Sequence, residues 1–109
     1  MGRRLLAQCH ADLDPSSGGE VYYQGDASSF VASYEAVAYC CGTDTPNNTF
    51  QATFTPDGAI LLAYKDLQEG GSQQPSIGYE NGDGSLGKQI SYGWDAAPAD
   101  ESAINIVPP

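Results

Sequence analysis

Basic side chains are almost missing from this chain. Four Lys and Arg stand against fourteen Asp and Glu, for a net charge of −10 over 109 residues. No Lys or Arg occurs between Arg4 and Lys65. Such a surface repels a phosphate backbone, which excludes ordinary nucleic-acid binding. An anionic membrane surface is disfavoured for the same reason. No apolar run approaches the ~20 residues that a bilayer-spanning helix needs, so no membrane insertion is expected. A single His is present. No Ser-His-Asp arrangement, phosphate loop or dinucleotide motif can be read, and no catalytic residue is assigned. Two carboxylates would serve a glycosidase, but fourteen acids single out no pair. What remains is a surface suited to solubility, cations or basic partners.

Cysteine is scarce and odd in number: Cys9, Cys40 and Cys41. Cys9 can bridge to Cys40 or to Cys41, and either choice leaves a thiol over for an intermolecular link. Bridging the adjacent pair would strain the ring. Cys9 also neighbours His10, but a catalytic Cys needs its base across a cleft, and adjacent strand residues point to opposite faces. A disulfide role for Cys9 is the better reading. Cys9, His10, Cys40 and Cys41 match no standard zinc spacing. Asn47-Asn48-Thr49 is a glycosylation sequon at Asn47, expected in a loop. Together these features favour an extracellular, secreted setting. Arg3-Arg4 before Leu5-Leu6-Ala7 hints at a signal peptide, but its apolar part is too short to be one.

What the chain does have is the material of a β domain. Hydrophobic residues make up 40%, with seven Tyr, three Phe and one Trp, and thirteen Gly and seven Pro punctuate them. Thr49 to Thr55 alternates, with Phe50, Ala52 and Phe54 inward, which is the antiparallel pattern of one dry and one wet face. Pro56-Asp57-Gly58 is turn chemistry. Ala59 to Lys65 returns with Ile60, Leu62 and Tyr64 inward, so the two strands form a hairpin. Further strands are read at Glu20 to Gln24, Phe30 to Val37, Ser76 to Glu80, Lys88 to Trp94 and Ser102 to Val107. In the second of these, Tyr34 and Ala36 share one face and Glu35 and Val37 the other. Cys40 to Asn48 reads as a loop, and Asn81-Gly82-Asp83-Gly84 as a tight turn. The expected fold is all-β: an antiparallel β-sandwich of about seven short strands. Residues 1–11 form an N-terminal extension or strand, and residues 12–109 a single module.

Two oxygen-rich clusters suggest calcium, which takes six to eight oxygen ligands. They are Asp12 with Asp14, and Glu80, Asn81 and Asp83. Neither fits an EF-hand loop, and plain turns use the same residues. No other cofactor is expected. Tyr22, Tyr23, Tyr92 and Trp94 suggest a sugar or peptide platform, although half-buried sheet aromatics are the commoner explanation.

Several stretches recur in an order that resembles a known family. They are Asp12-Leu13-Asp14-Pro15, Gly18-Gly19-x-Val21-Tyr22-Tyr23 and Phe30-Val31-x-x-Tyr34-Glu35. Thr49-Phe50-Gln51-Ala52, Pro56-Asp57-Gly58-x-Ile60 and Tyr64-Lys65-Asp66 follow. Ile77-Gly78-x-Glu80-Asn81-x-Asp83-Gly84 and Ala103-Ile104-x-Ile106 complete the set. From Asp12 to Pro109 the chain resembles the C-terminal part of nidogen-like extracellular modules. Related segments occur in plexin-domain-containing proteins and in bacterial secreted proteins. Two departures stand out. Family members usually carry an aromatic pair where Cys9-His10-Ala11 stands, and a strand-rich stretch upstream.

The resemblance implies an extracellular β module without catalysis, and it carries over no site residue. A half module exposes strand edges and apolar surface. The sandwich is therefore expected to be incomplete and completed by a partner, whether another subunit, a donated strand or a separate domain. The leading expectation is a non-catalytic adhesion or assembly module, a subunit of a larger complex or extracellular polymer. The alternative is an accessory domain of a secreted hydrolase that binds polysaccharide or calcium.

Overall fold

The structure is a computed structural model that describes residues 3–6, 13–40, 46–70 and 74–108. It is all-β, with eight strands in two antiparallel sheets among the described residues. The strands are β1 (Arg3–Leu6), β2 (Glu20–Gly25), β3 (Phe30–Ala38), β4 (Asn47–Phe54), β5 (Ile60–Asp66), β6 (Ser76–Asn81), β7 (Gly87–Tyr92) and β8 (Ser102–Ile106). One sheet has five strands in the order β2-β3-β4-β5-β8, and the other has three in the order β1-β6-β7. All seven strands expected from alternation are present. The eighth is β1, whose register against β6 runs from Arg3↔Asn81 to Leu6↔Gly78.

The β4–β5 hairpin is the centre of the larger sheet. Phe50 faces Tyr64, Ala52 faces Leu62 and Phe54 faces Ile60. Its turn is closed by Thr55 N–H donating to the Ala59 carbonyl at 3.1 Å and Gly58 N–H donating to the Thr55 carbonyl at 3.0 Å. The Asp57 carboxylate accepts from the Ala59 N–H at 3.0 Å and from the Thr55 hydroxyl. Phe50, Ala52, Ile60, Leu62, Tyr64, Ile77 and Ile106 form the buried core. Tyr34, Phe54, Tyr79, Ile90 and Ile104 pack around it. The smaller sheet thus contributes Ile77, Tyr79 and Ile90, which meet the inner face at β4, β5 and β8. No residue of β2 belongs to this cluster.

Three local readings change. A β-bulge between Tyr34 and Val37 adds one residue to β3. Ala36 takes a φ of 50°, and Val37 turns inward opposite Asn48. Val37 is fully buried while Ala36 is exposed, the reverse of the alternation expected from sequence. The bulge is held by the Ala36 N–H donating to the Thr49 hydroxyl at 2.9 Å. Asn47 and Asn48 are not loop residues but begin β4, paired with Ala38 and Val37. Lastly, β7 stops at Tyr92. Gly93 has a φ of 89°, and Trp94 opens a short 3-10 turn instead of continuing the strand.

Candidate binding face

Strand order decides which part of the larger sheet is covered. Alternation places Val21, Tyr23 and Gly25 of β2 on the same face as Phe30, Ala32 and Tyr34 of β3, because Val21 pairs with Tyr34, Tyr23 with Ala32 and Gly25 with Phe30. This is the face that carries Phe50, Ala52 and Phe54 on β4. The core therefore continues sideways onto β2, but the smaller sheet does not follow it. Tyr23 is 79% exposed, Phe30 43% and Val21 42%. All six residues of β2 are exposed.

The aromatic rings on this face touch in two separate series. Tyr23 and Phe30 stack with centroids 6.1 Å apart, and Phe30 meets Phe54 at 6.3 Å. Tyr34 stacks on Phe50 at 4.7 Å, and Phe50 meets Tyr64 at 6.1 Å. Such offset pairs order the rings relative to one another. The outcome is a fixed aromatic shelf, dry on its Phe50 side and wet on its Tyr23 side. Contiguous exposed apolar surface of this kind marks contact sites.

The opposite face of the same sheet is polar. Ser33 donates to Gln51 across β3 and β4 at 3.2 Å. An open cleft of about 680 Å³ crosses this face, bordered by Glu35, Thr49, Gln51, Lys65 and Glu101 and lined also by Ala63, Ala103, Tyr34, Phe50 and Tyr64. At its β2 margin Glu20 directly faces Glu35. The Tyr22 hydroxyl, hydrogen-bonded to Glu20 and set in the field of Glu20 and Glu35, titrates above its ordinary value.

Of the sequence-predicted metal ligands, Asp14, Asn81 and Asp83 hydrogen-bond within turns. Asp14 caps the short helical turn Pro15–Ser17, accepting from the Ser16 N–H at 2.9 Å and the Ser16 hydroxyl at 2.7 Å. The Ser16 hydroxyl and then the Ser16 N–H hold its carboxyl below 3.8. Asp83 is likewise lowered by the Ser85 hydroxyl and then the Ser85 N–H, which it accepts at 2.7 and 3.0 Å. Asn81 accepts from the Leu86 N–H at 3.1 Å and donates to the Ser85 hydroxyl at 2.9 Å. Glu80 lies on β6, paired with Arg4 and Gly87. Asp12 lies outside the described residues. Among the described residues no three His, Cys, Asp or Glu side chains gather where a metal would sit.

Cys9 and Cys41 lie outside the described residues, as does His10, while Cys40 is half-buried just beyond β3. Asn47, the sequon residue, is half-buried at the start of β4, and its N–H donates to Gln68 at 3.4 Å. Its neighbour Asn48 was not singled out from sequence, yet it is completely buried. The Asn48 carboxamide oxygen accepts from the Gln68 N–H at 2.8 Å, tying β4 to the chain that leaves β5. Of the aromatic platform residues, Tyr23 belongs to the shelf, Tyr22 lies on the polar face, and Tyr92 and Trp94 sit at the far end of β7.

These observations define an all-β, sandwich-like module whose larger sheet is only partly covered. No family model, curated protein or solved structure matches the chain.

Proposed function

We propose that this chain is a non-catalytic extracellular module for adhesion or assembly, which docks a protein partner over the aromatic shelf of β2 and β3. The reading rests on one observation above others. A core face of the larger sheet runs past its cover and leaves Tyr23, Phe30 and Val21 in solvent. The module would act as a subunit of a larger complex or extracellular polymer. An extracellular setting is supported by the odd set of three cysteines, by the Asn47 sequon and by the scarcity of Lys.

The test uses the protein as secreted by its own host. The wild-type chain should elute in assemblies well above its own 11.4 kDa mass. A Tyr23→Ser/Phe30→Ser variant should elute as the free chain with an unchanged circular dichroism spectrum. Equal elution of the two proteins rejects the proposal.

A second reading, the accessory domain that binds polysaccharide, is favoured by the open cleft of about 680 Å³, where Glu35, Gln51, Lys65 and Glu101 lie beside apolar and aromatic residues. Glycan binding that is lost in a Gln51→Ala variant would select it.

A further inference from the structure

Strand β2 is the outermost strand of its sheet, and among the described residues it pairs with β3 alone. Its outer edge presents a row of backbone N–H and C=O groups, the template on which an extended chain adds as a new strand. At the opposite edge, β8 directs Ile104 and Ile106 into the core. β2 differs in that its apolar side chains face solvent.

We propose that the β2 edge accepts an extended segment of a different polypeptide, apolar at alternate positions and basic at the positions between. This deepens the assembly reading and rests on it. The alternation follows from β2 itself. Val21 and Tyr23 point to the shelf, so every second residue of an added strand lies beside them and lengthens the Tyr23–Phe30–Phe54 series. The intervening residues lie beside Glu20, Tyr22 and Gln24 on the polar face. There Glu20 and Glu35 are directly opposite. Like charges so placed oppose pairing, and neither β2 nor β3 contains a Lys or Arg to offset them. A Lys or Arg on the incoming strand supplies that counter-charge. A second copy of this chain would bring the same carboxylates and a further net charge of −10, which repels it.

The experiment titrates two synthetic ten-residue peptides into the isotope-labelled chain while its amide resonances are followed. One peptide alternates Val and Lys, the other Val and Glu. The Lys peptide should shift the amides of residues 20–25 and bind at least ~10-fold more tightly than its Glu twin. The difference should collapse near 1 M salt, where the screening length is about 3 Å. A Glu20→Lys/Glu35→Lys variant, altered at two exposed positions, should reverse the preference. The proposal is overturned by equal binding of the two peptides, by no binding of either, or by shifts on β8 or spread over the acidic surface. Shifts of residues 20–25 on concentrating the chain alone overturn it too, in favour of a second copy. If the Tyr23→Ser/Phe30→Ser variant loses assembly while the peptides show no β2 preference, docking over the shelf stands and the basic donor strand falls.

Discussion

Replacing Tyr23 by Ala should cost the isolated chain little stability, and replacing Leu62 by Ala should cost it much. Tyr23 is 79% exposed, so about a fifth of its surface is withdrawn from water. With about 200 Å² for a whole aromatic side chain, that is roughly 40 Å², or about 1 kcal/mol at ~25 cal/mol per Å². The figure is an upper bound, because the unfolded chain already buries part of this area. Leu62 is 0% exposed and sits between Ala52 and Ile104 on the neighbouring strands. Truncating a buried Leu removes transfer energy and leaves a cavity, together about 2–5 kcal/mol. Urea unfolding under one fixed redox condition separates the two variants. Leu62→Ala should lower the midpoint strongly with an unchanged slope, and Tyr23→Ala should lower it slightly. If Tyr23→Ala costs as much as Leu62→Ala, the shelf is covered within the chain and the argument for an external partner collapses.

Two further outcomes follow from local geometry. Gly19→Ala should destabilise by at least ~2 kcal/mol, since Gly19 has a φ of +81° and an added Cβ would lie 2.1 Å from the Ala36 carbonyl oxygen. Ala36→Gly, which relaxes a φ of 50°, should be neutral or mildly stabilising in the same unfolding assay. Acid should weaken the fold in a defined window. Asp14, Asp57 and Asp83 all titrate below 3.8 in the folded chain. Groups depressed on folding stabilise above their unfolded value and lose that contribution as pH falls through the folded one. The melting temperature should therefore drop below about pH 4, and less steeply in an Asp14→Asn/Asp57→Asn/Asp83→Asn variant; parallel profiles would remove the turn carboxylates from the account.

Much of the fold was legible because period-two alternation is local. Phe50, Ala52 and Phe54, then Ile60, Leu62 and Tyr64, declared both the strands and the face that would be buried, and Pro56-Asp57-Gly58 declared the turn between them. What failed was whatever depends on partners distant in sequence. The bulge at Ala36 comes from its contact with Thr49 and the close approach of Gly19, and alternation alone runs straight through it. Asn48 carries no sequence signal of burial; its carboxamide is needed by the Gln68 N–H, 20 residues away. The turn acids resembled calcium ligands because a capping carboxylate and a metal-binding carboxylate are the same chemical group. In the structure Asp14 and Asp83 accept from Ser16 and Ser85.

The shelf was half legible. Val21, Tyr23 and Phe30 could be placed on strands from sequence, and an incomplete sandwich was expected from the family resemblance. Which side chains would be left uncovered could not be read, because that depends on β6 and β7 packing over β4, β5 and β8 instead of β2. Strand order is a property of the whole chain, and no single window of residues contains it.

The account turns on whether Tyr23 and Phe30 are open in the free chain and closed in the assembled one. Hydroxyl-radical footprinting of the purified chain, and of the same chain in the native material that contains it, measures this directly. Free chain should be oxidised readily at Tyr23 and Phe30 and spared at Phe50 and Tyr64, with Tyr23 and Phe30 becoming protected in the native material. Equal oxidation of Tyr23 and Phe30 in both states would contradict docking over the shelf.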